Sequence, residues 1–205
     1  MSTSPSWSRS LSRFFSVLIL LSLAACGPLL NFTPERAAVQ EVLRFGEPNL
    51  PVDPDSVQVL QTQEQGEMTI VLVAFQRGRG TGMPDECLAI YEVRRSALGW
   101  MTGSGGTGCG PIGGDGRALE VSSGAHSSNE SASSHATGLV RDPLIASVEV
   151  TWEDGEVQQV PVVNNSYLAW REGVSDPVQI LGLDAGDQVI YTSDAPVLAP
   201  GKEAP

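Results

Sequence analysis

A stretch of strict alternation constrains this chain more than any other feature. From Ser147 to Trp152, Val148, Val150 and Trp152 fall on one parity, and Ser147, Glu149 and Thr151 on the other. A helix cannot sort those residues onto two sides. An extended strand does, because successive side chains point to opposite faces. Asp154-Gly155 follows and reads as a two-residue hairpin turn, since Gly tolerates the positive φ that such turns require. Val157 to Val163 returns, Asn164-Asn165-Ser166 turns again, and Tyr167 to Trp170 runs out. Val178 to Leu183 and Gln188 to Tyr191 form a last pair around Asp184-Ala185-Gly186-Asp187. Short strands separated by such regular turns predict a small antiparallel β-sandwich or barrel over residues 135–192.

Upstream, Thr33-Pro34-Glu35 reads as a helix start: a capping hydroxyl, Pro at the first helical position and an acid in the first turn. Ala38, Val42 and Phe45 mark one face, and Gly46 and Pro48 stop the helix, which is expected over 34–45. The period then changes to two. Val57 and Val59 alternate with polar neighbours, Gln65-Gly66 turns, and Met68 to Phe75 is a run of β-formers long enough for a central strand. Cys87 to Val93 is a further strand, with Leu88, Ile90 and Glu92 on one face. Leu98 to Thr102 pairs with it through Ser96-Ala97. Residues 103–116 are rich in Gly and 122–134 in Ser. Both are expected as loops, with a short strand at 118–121 between them. The fold class that results is mainly β: one N-terminal helix, antiparallel strands, and a C-terminal sandwich or barrel. The expected units are 34–121, the Ser-rich loop 122–134, the module 135–192 and a loose tail 193–205.

The first residues carry Arg9 and Arg13 and no acid, and Phe14 to Leu23 is apolar apart from Ser16 and Ser22. A basic start, a short apolar run and small residues before a cut describe a secretory signal, too short to span a bilayer as a helix. Leu23-Ala24-Ala25-Cys26 closes it, and this segment resembles the lipobox of bacterial lipoproteins. The resemblance implies removal of residues 1–25 and a diacylglycerol thioether on Cys26. Residues 26–33 would then be a lipidated Cys with a short tether. Gly27, in place of the Asp that retains such proteins at an inner membrane, implies the outer membrane in a cell that has one. More than one acyl chain makes such anchoring stable.

Removing the leader leaves 10 basic and 24 acidic side chains, a net charge near −14. That field repels phosphate backbones and argues against a nucleic-acid partner. With Cys26 lipidated in an oxidising compartment, Cys87 and Cys109 remain as one pair and are expected as a disulfide. The loop they close is about 22 residues long, and closing it is worth roughly 3 kcal/mol.

The segment "VEVTWEDGEVQQVPVVNNSYLAW" with "VQILGLDAGDQVIY" resembles a β module recurring in secreted and membrane-attached bacterial proteins of unassigned function. The resemblance carries no site residues. Catalytic chemistry finds little footing. Ser127, His126 and Glu130 lie too close together on a loop to form a triad, and there is no Gly-x-Ser-x-Gly elbow. A hydrolase would need His126 or His135 in a pocket with a Ser and a carboxylate. Two isolated His cannot make a zinc site, and Asp184 and Asp187 read as turn residues before calcium ligands. No cofactor motif is present. Trp152, Tyr167 and Trp170 would, if exposed together, offer a stacking platform for a glycan; the parity of Trp152 with Val148 and Val150 points instead to the core. The expectation is a non-enzymatic envelope lipoprotein that binds another envelope protein, with glycan or peptidoglycan binding as the alternative.

Overall fold

The computed structural model describes residues 33–46, 50–78, 84–113, 116–127 and 132–193. The leader, Cys26 and the tail beyond Ser193 lie outside these residues. One helix, α1 (Pro34–Phe45), opens the described chain, and the Thr33 hydroxyl caps it by accepting from Arg36 N–H at 3.2 Å. Among the described residues no helix is long and apolar enough to cross a membrane.

Eleven strands follow: β1 (Val52–Gln65), β2 (Met68–Arg77), β3 (Asp85–Ser96), β4 (Gly99–Pro111), β5 (Ser122–Ser127), β6 (Ala132–Leu139), β7 (Ser147–Trp152), β8 (Val157–Pro161), β9 (Ser166–Glu172), β10 (Pro177–Leu183) and β11 (Val189–Thr192). They make three sheets, in which every neighbouring pair is antiparallel. Sheet A is the meander β1-β2-β3-β4, sheet B is β5-β6-β9, and sheet C is β11-β10-β7-β8. Among the described residues none closes into a barrel.

The alternation of side chains dictates how these elements stack. In β2 and β3 one parity (Val71, Val73, Phe75, Ala89, Tyr91, Val93) packs against Ala37, Ala38 and Val42 of α1. The other parity (Ile70, Leu72, Ile90) meets Leu139, Leu168 and Trp170 of sheet B. The opposite face of sheet B, with Ala136, Tyr167 and Ala169, packs on Val148, Val150, Trp152 and Ile180 of sheet C. The result is four layers: helix, sheet A, sheet B and sheet C. Sheet B is covered on both faces, so Ser166 to Trp170 is buried without interruption. A strand between two cores loses the polar parity that a half-solvated strand keeps.

Several expectations change. The Gly-rich stretch is β4 rather than a loop, paired with β3 from Ser96↔Gly99 to Asp85↔Pro111. Gly is a weak strand former on its own. Here the backbone ladder and the Cys87–Cys109 bridge hold it. The bridge joins directly opposed residues of β3 and β4, with Cα atoms 4.1 Å apart, and not a strand to a loop. The Ser-rich stretch is also not a loop between domains. Ser122–Ser127 and Ala132–Leu139 pair as β5 and β6, and they supply the middle layer. Small Ser and Ala side chains suit a sheet packed on both faces. The expected strand at 118–121 reduces to a single bridge, Leu119↔Val140. The Asp154-Gly155 turn has a three-residue loop: Gly155 N–H donates to Trp152 O, and Trp152 N–H to Glu156 O, both at 2.9 Å. Gly155 takes a φ of +83°, as the turn requires.

The two halves are tied to each other. The Asn164 and Asn165 turn, at φ of 50° and 55°, docks on a register shift in β1. Asn164 Nδ2 donates to Leu60 O, and Gln61 Nε2 to Ser166 O, each at 2.8 Å.

Candidate functional site

Sheets A and B lie face to face, and their edge strands β4 and β5 border a cleft of about 240 Å³. Its back is apolar: Leu88 and Ile90 from β3, and Trp170 from β9. Its sides carry Ser104, His126, Ser133 and His135, and among the described residues its one carboxylate is Glu92.

Glu92 is there because of parity. It follows Leu88 and Ile90 on the face of β3 that looks toward sheet B, and only 8% of it is exposed. An isolated carboxylate so placed would be costly, and its surroundings explain why it stays ionised. The register shifts at this point: Tyr91 pairs with Gly105 and Val93 with Thr102, so Gly103 and Ser104 together oppose Glu92. Such a bulge re-aims a side chain, and here Ser104 Oγ donates to Glu92 Oε2 at 2.5 Å. From sheet B, Ser133 Oγ donates to Glu92 Oε1 at 2.5 Å. Burial pushes the carboxyl up, but these two hydrogen bonds, the nearby His126 and the Trp170 indole outweigh it. Glu92 therefore lies below the ordinary carboxylate range. The Trp170 N–H lies close enough to favour the anion without forming a hydrogen bond of good geometry, and it is buried with no partner.

His135 stands on β6 opposite Gly124, with its ring filling the space a side chain there would need. A Cβ on Gly124 would meet His135 Cε1 at 2.9 Å. Burial dominates its titration and drives the imidazole down to about 4, with Glu92 pulling weakly the other way. It is neutral at physiological pH. Gly106 leaves the cleft floor open, since a Cβ there would meet His135 and Ile90 only at 3.9 Å.

Of the residues singled out from sequence, His126, His135 and Trp170 line this cleft and the others fall elsewhere. Trp152 and Tyr167 are fully buried, and Trp170 is 7% exposed. They cannot form an exposed stacking platform, because the two cores of sheet B claim all three. Tyr167 has no hydrogen-bond partner, and burial raises its phenol far above the ordinary range. Trp152 lies under the Arg171 guanidinium, 5.5 Å from the ring centroid. Of Ser127, His126 and Glu130, only the His126 side chain is described. Asp184 Oδ1 accepts from Gly186 and Gln188 N–H, and Asp187 Oδ1 accepts from Gln159, which is turn and surface chemistry. Among the described residues no group of three or more His, Cys, Asp or Glu could hold a metal ion. Sequence reasoning placed Glu92 on the right face but missed Ser104 and Ser133. The available signal was an acid on the apolar parity of a strand.

No protein-family model matches the chain, and neither a curated protein nor a solved structure matches it.

Proposed function

We propose that the chain is a lipid-anchored envelope lipoprotein whose layered β fold is a non-enzymatic binding module, with the cleft between sheets A and B as its recognition site. The anchor reading rests on Leu23-Ala24-Ala25-Cys26. The Thr33 cap stands seven positions after Cys26. Even fully extended, that stretch spans at most about 25 Å, so the module is held close to the bilayer, on the outer membrane in a cell that has one. Its partner is a molecule of the envelope, met at high local concentration on a shared surface.

The observation that carries the binding reading is the direction of two hydroxyl protons. A nucleophilic serine passes its proton to an imidazole that an acid orients. Ser104 and Ser133 instead both donate to the acid itself. The hydroxyls are committed to the carboxylate, and the carboxylate is a fixed anion on rigid strands. A few fixed polar groups against an apolar wall are what recognition of a small ligand needs.

Two measurements test this. Mass spectrometry of the mature chain is expected to find Cys26 at its start carrying diacylglycerol; a mature chain beginning elsewhere would remove the anchor. A serine-directed alkyl fluorophosphonate is expected to leave the full chain unlabelled; labelling of Ser104 or Ser133 would remove the non-enzymatic reading.

A further inference from the structure

We infer that the cleft recognises a small organic cation, whose primary ammonium group sits on Glu92. This deepens, and rests on, the reading of the cleft as a binding site.

The argument begins with charge. Glu92 is more than nine-tenths buried, and among the described residues none lining the cleft is Lys or Arg. Its neighbours Ser104 and Ser133 are neutral donors. They stabilise the carboxylate without cancelling its charge. A carboxylate oxygen accepts more than one hydrogen bond, so each oxygen keeps capacity for a donor arriving from the cleft. His126 also lines the cleft and acts on Glu92 through space. His135 stays neutral and adds no positive charge.

The walls select what the cation can be. A divalent metal wants six or more oxygen ligands, or a cluster of His, Cys and carboxylates. The cleft offers a single carboxylate among Leu88, Ile90 and Trp170, and these apolar surfaces suit the carbon skeleton of an organic ligand. Trp170 completes the apolar wall: the residue is 7% exposed, and its indole lies toward the Glu92 carboxylate that it helps to hold as an anion. The volume of about 240 Å³ corresponds to the share of about eight water molecules, so the ligand carries about that many heavy atoms. Gly106 lets it reach the backbone.

The experiment titrates the full chain in detergent with butylammonium chloride, and in parallel with butan-1-ol and with glycerol. The readouts are the Trp170 indole and His135 imidazole NMR signals. Butylammonium is expected to move both signals saturably, butan-1-ol and glycerol to leave them in place, and Glu92→Gln to weaken the amine at least tenfold. Binding is expected to fade as pH rises past the amine's own pKa. Should Glu92→Gln fold poorly, Gly106→Leu serves instead. A Cβ at Gly106 meets nothing closer than 3.9 Å, the nearest atoms being cleft-lining His135 and Ile90, so the longer side chain is expected to fill the cleft and abolish the amine response. Equal amine binding by wild type and Glu92→Gln, or by wild type and Gly106→Leu, would overturn the inference. A response to glycerol or butan-1-ol alone would overturn the cation and leave the cleft as a site; silence from all three probes would overturn both.

Discussion

Gly138 offers the most stringent test of the layered packing. It lies on β6 opposite Tyr167, in the sheet covered on both sides. A Cβ there would overlap the Glu120 carbonyl oxygen outright and stand 2.6 Å from Tyr167 Cε1. Ordinary carbon contacts lie at about 3.5–4.0 Å. Neither neighbour can retreat cheaply, because one is backbone and the other is a fully buried ring. Overpacking a core costs about 1–3 kcal/mol. Displacing Glu120 also threatens its N–H bond to Leu139 O, 2.9 Å long, worth about 1 kcal/mol net. Gly138→Ala should therefore cost about 2–4 kcal/mol, or a Tm lowered by roughly 4–16 °C for a domain of this size. Gly110→Ala is the control: also a strand glycine, it has nothing within 4 Å of an added Cβ. There the loss of unfolded-state freedom should stabilise by about 0.4–1 kcal/mol. The assay is thermal unfolding followed by circular dichroism. A Gly138→Ala variant melting within 2 °C of wild type, or two variants destabilised alike, would refute the packing argument.

Three further outcomes are expected. Replacing both Cys87 and Cys109 by Ser should cost about 3 kcal/mol in urea unfolding, since the bridge closes a loop of 22 residues; an unchanged midpoint would deny the bridge a stabilising role. Trp152→Ala, at a position with no exposure, should cost about 3–5 kcal/mol, and a loss under 1 kcal/mol would mean the ring is not a core residue. His135 is held down to about 4 when folded, against 6.5 when free. The unfolded chain therefore binds more protons between those values, and stability rises with pH through that window and is lost as pH falls through it. His135→Gln should flatten this part of a stability-against-pH curve by on the order of 3 kcal/mol; an unaltered slope would count against a buried neutral imidazole.

Local patterns reveal the parts of this fold that local forces decide. The helix is legible because Thr33, Pro34, Ala38 and Val42 carry its cap, start and face within one short segment. The strands of sheet C are legible because Val148, Val150 and Trp152 keep one side wet and one dry. The Gly-rich and Ser-rich stretches mislead for the opposite reason. Gly103 to Gly110 has little strand preference of its own, and its ladder comes from β3. Ser133 and Ser134 look like loop residues, yet both are buried by neighbours distant in sequence. The site shows the same division. The parity of Glu92 can be counted, but its charge depends on Ser133, 41 residues away, and on a one-residue bulge that no composition announces.

The buried middle sheet also sets a timetable. Its last strand, Ser166–Glu172, comes near the end of the described chain. A polypeptide delivered N-terminus first completes β2 and then waits roughly a hundred residues, or about 5–20 s at ordinary synthesis rates, for the strand that shields Ile70 and Leu72. Throughout that interval a greasy flank of the nascent protein stays open to chaperones and proteases, so its folding depends on escort as much as on sequence.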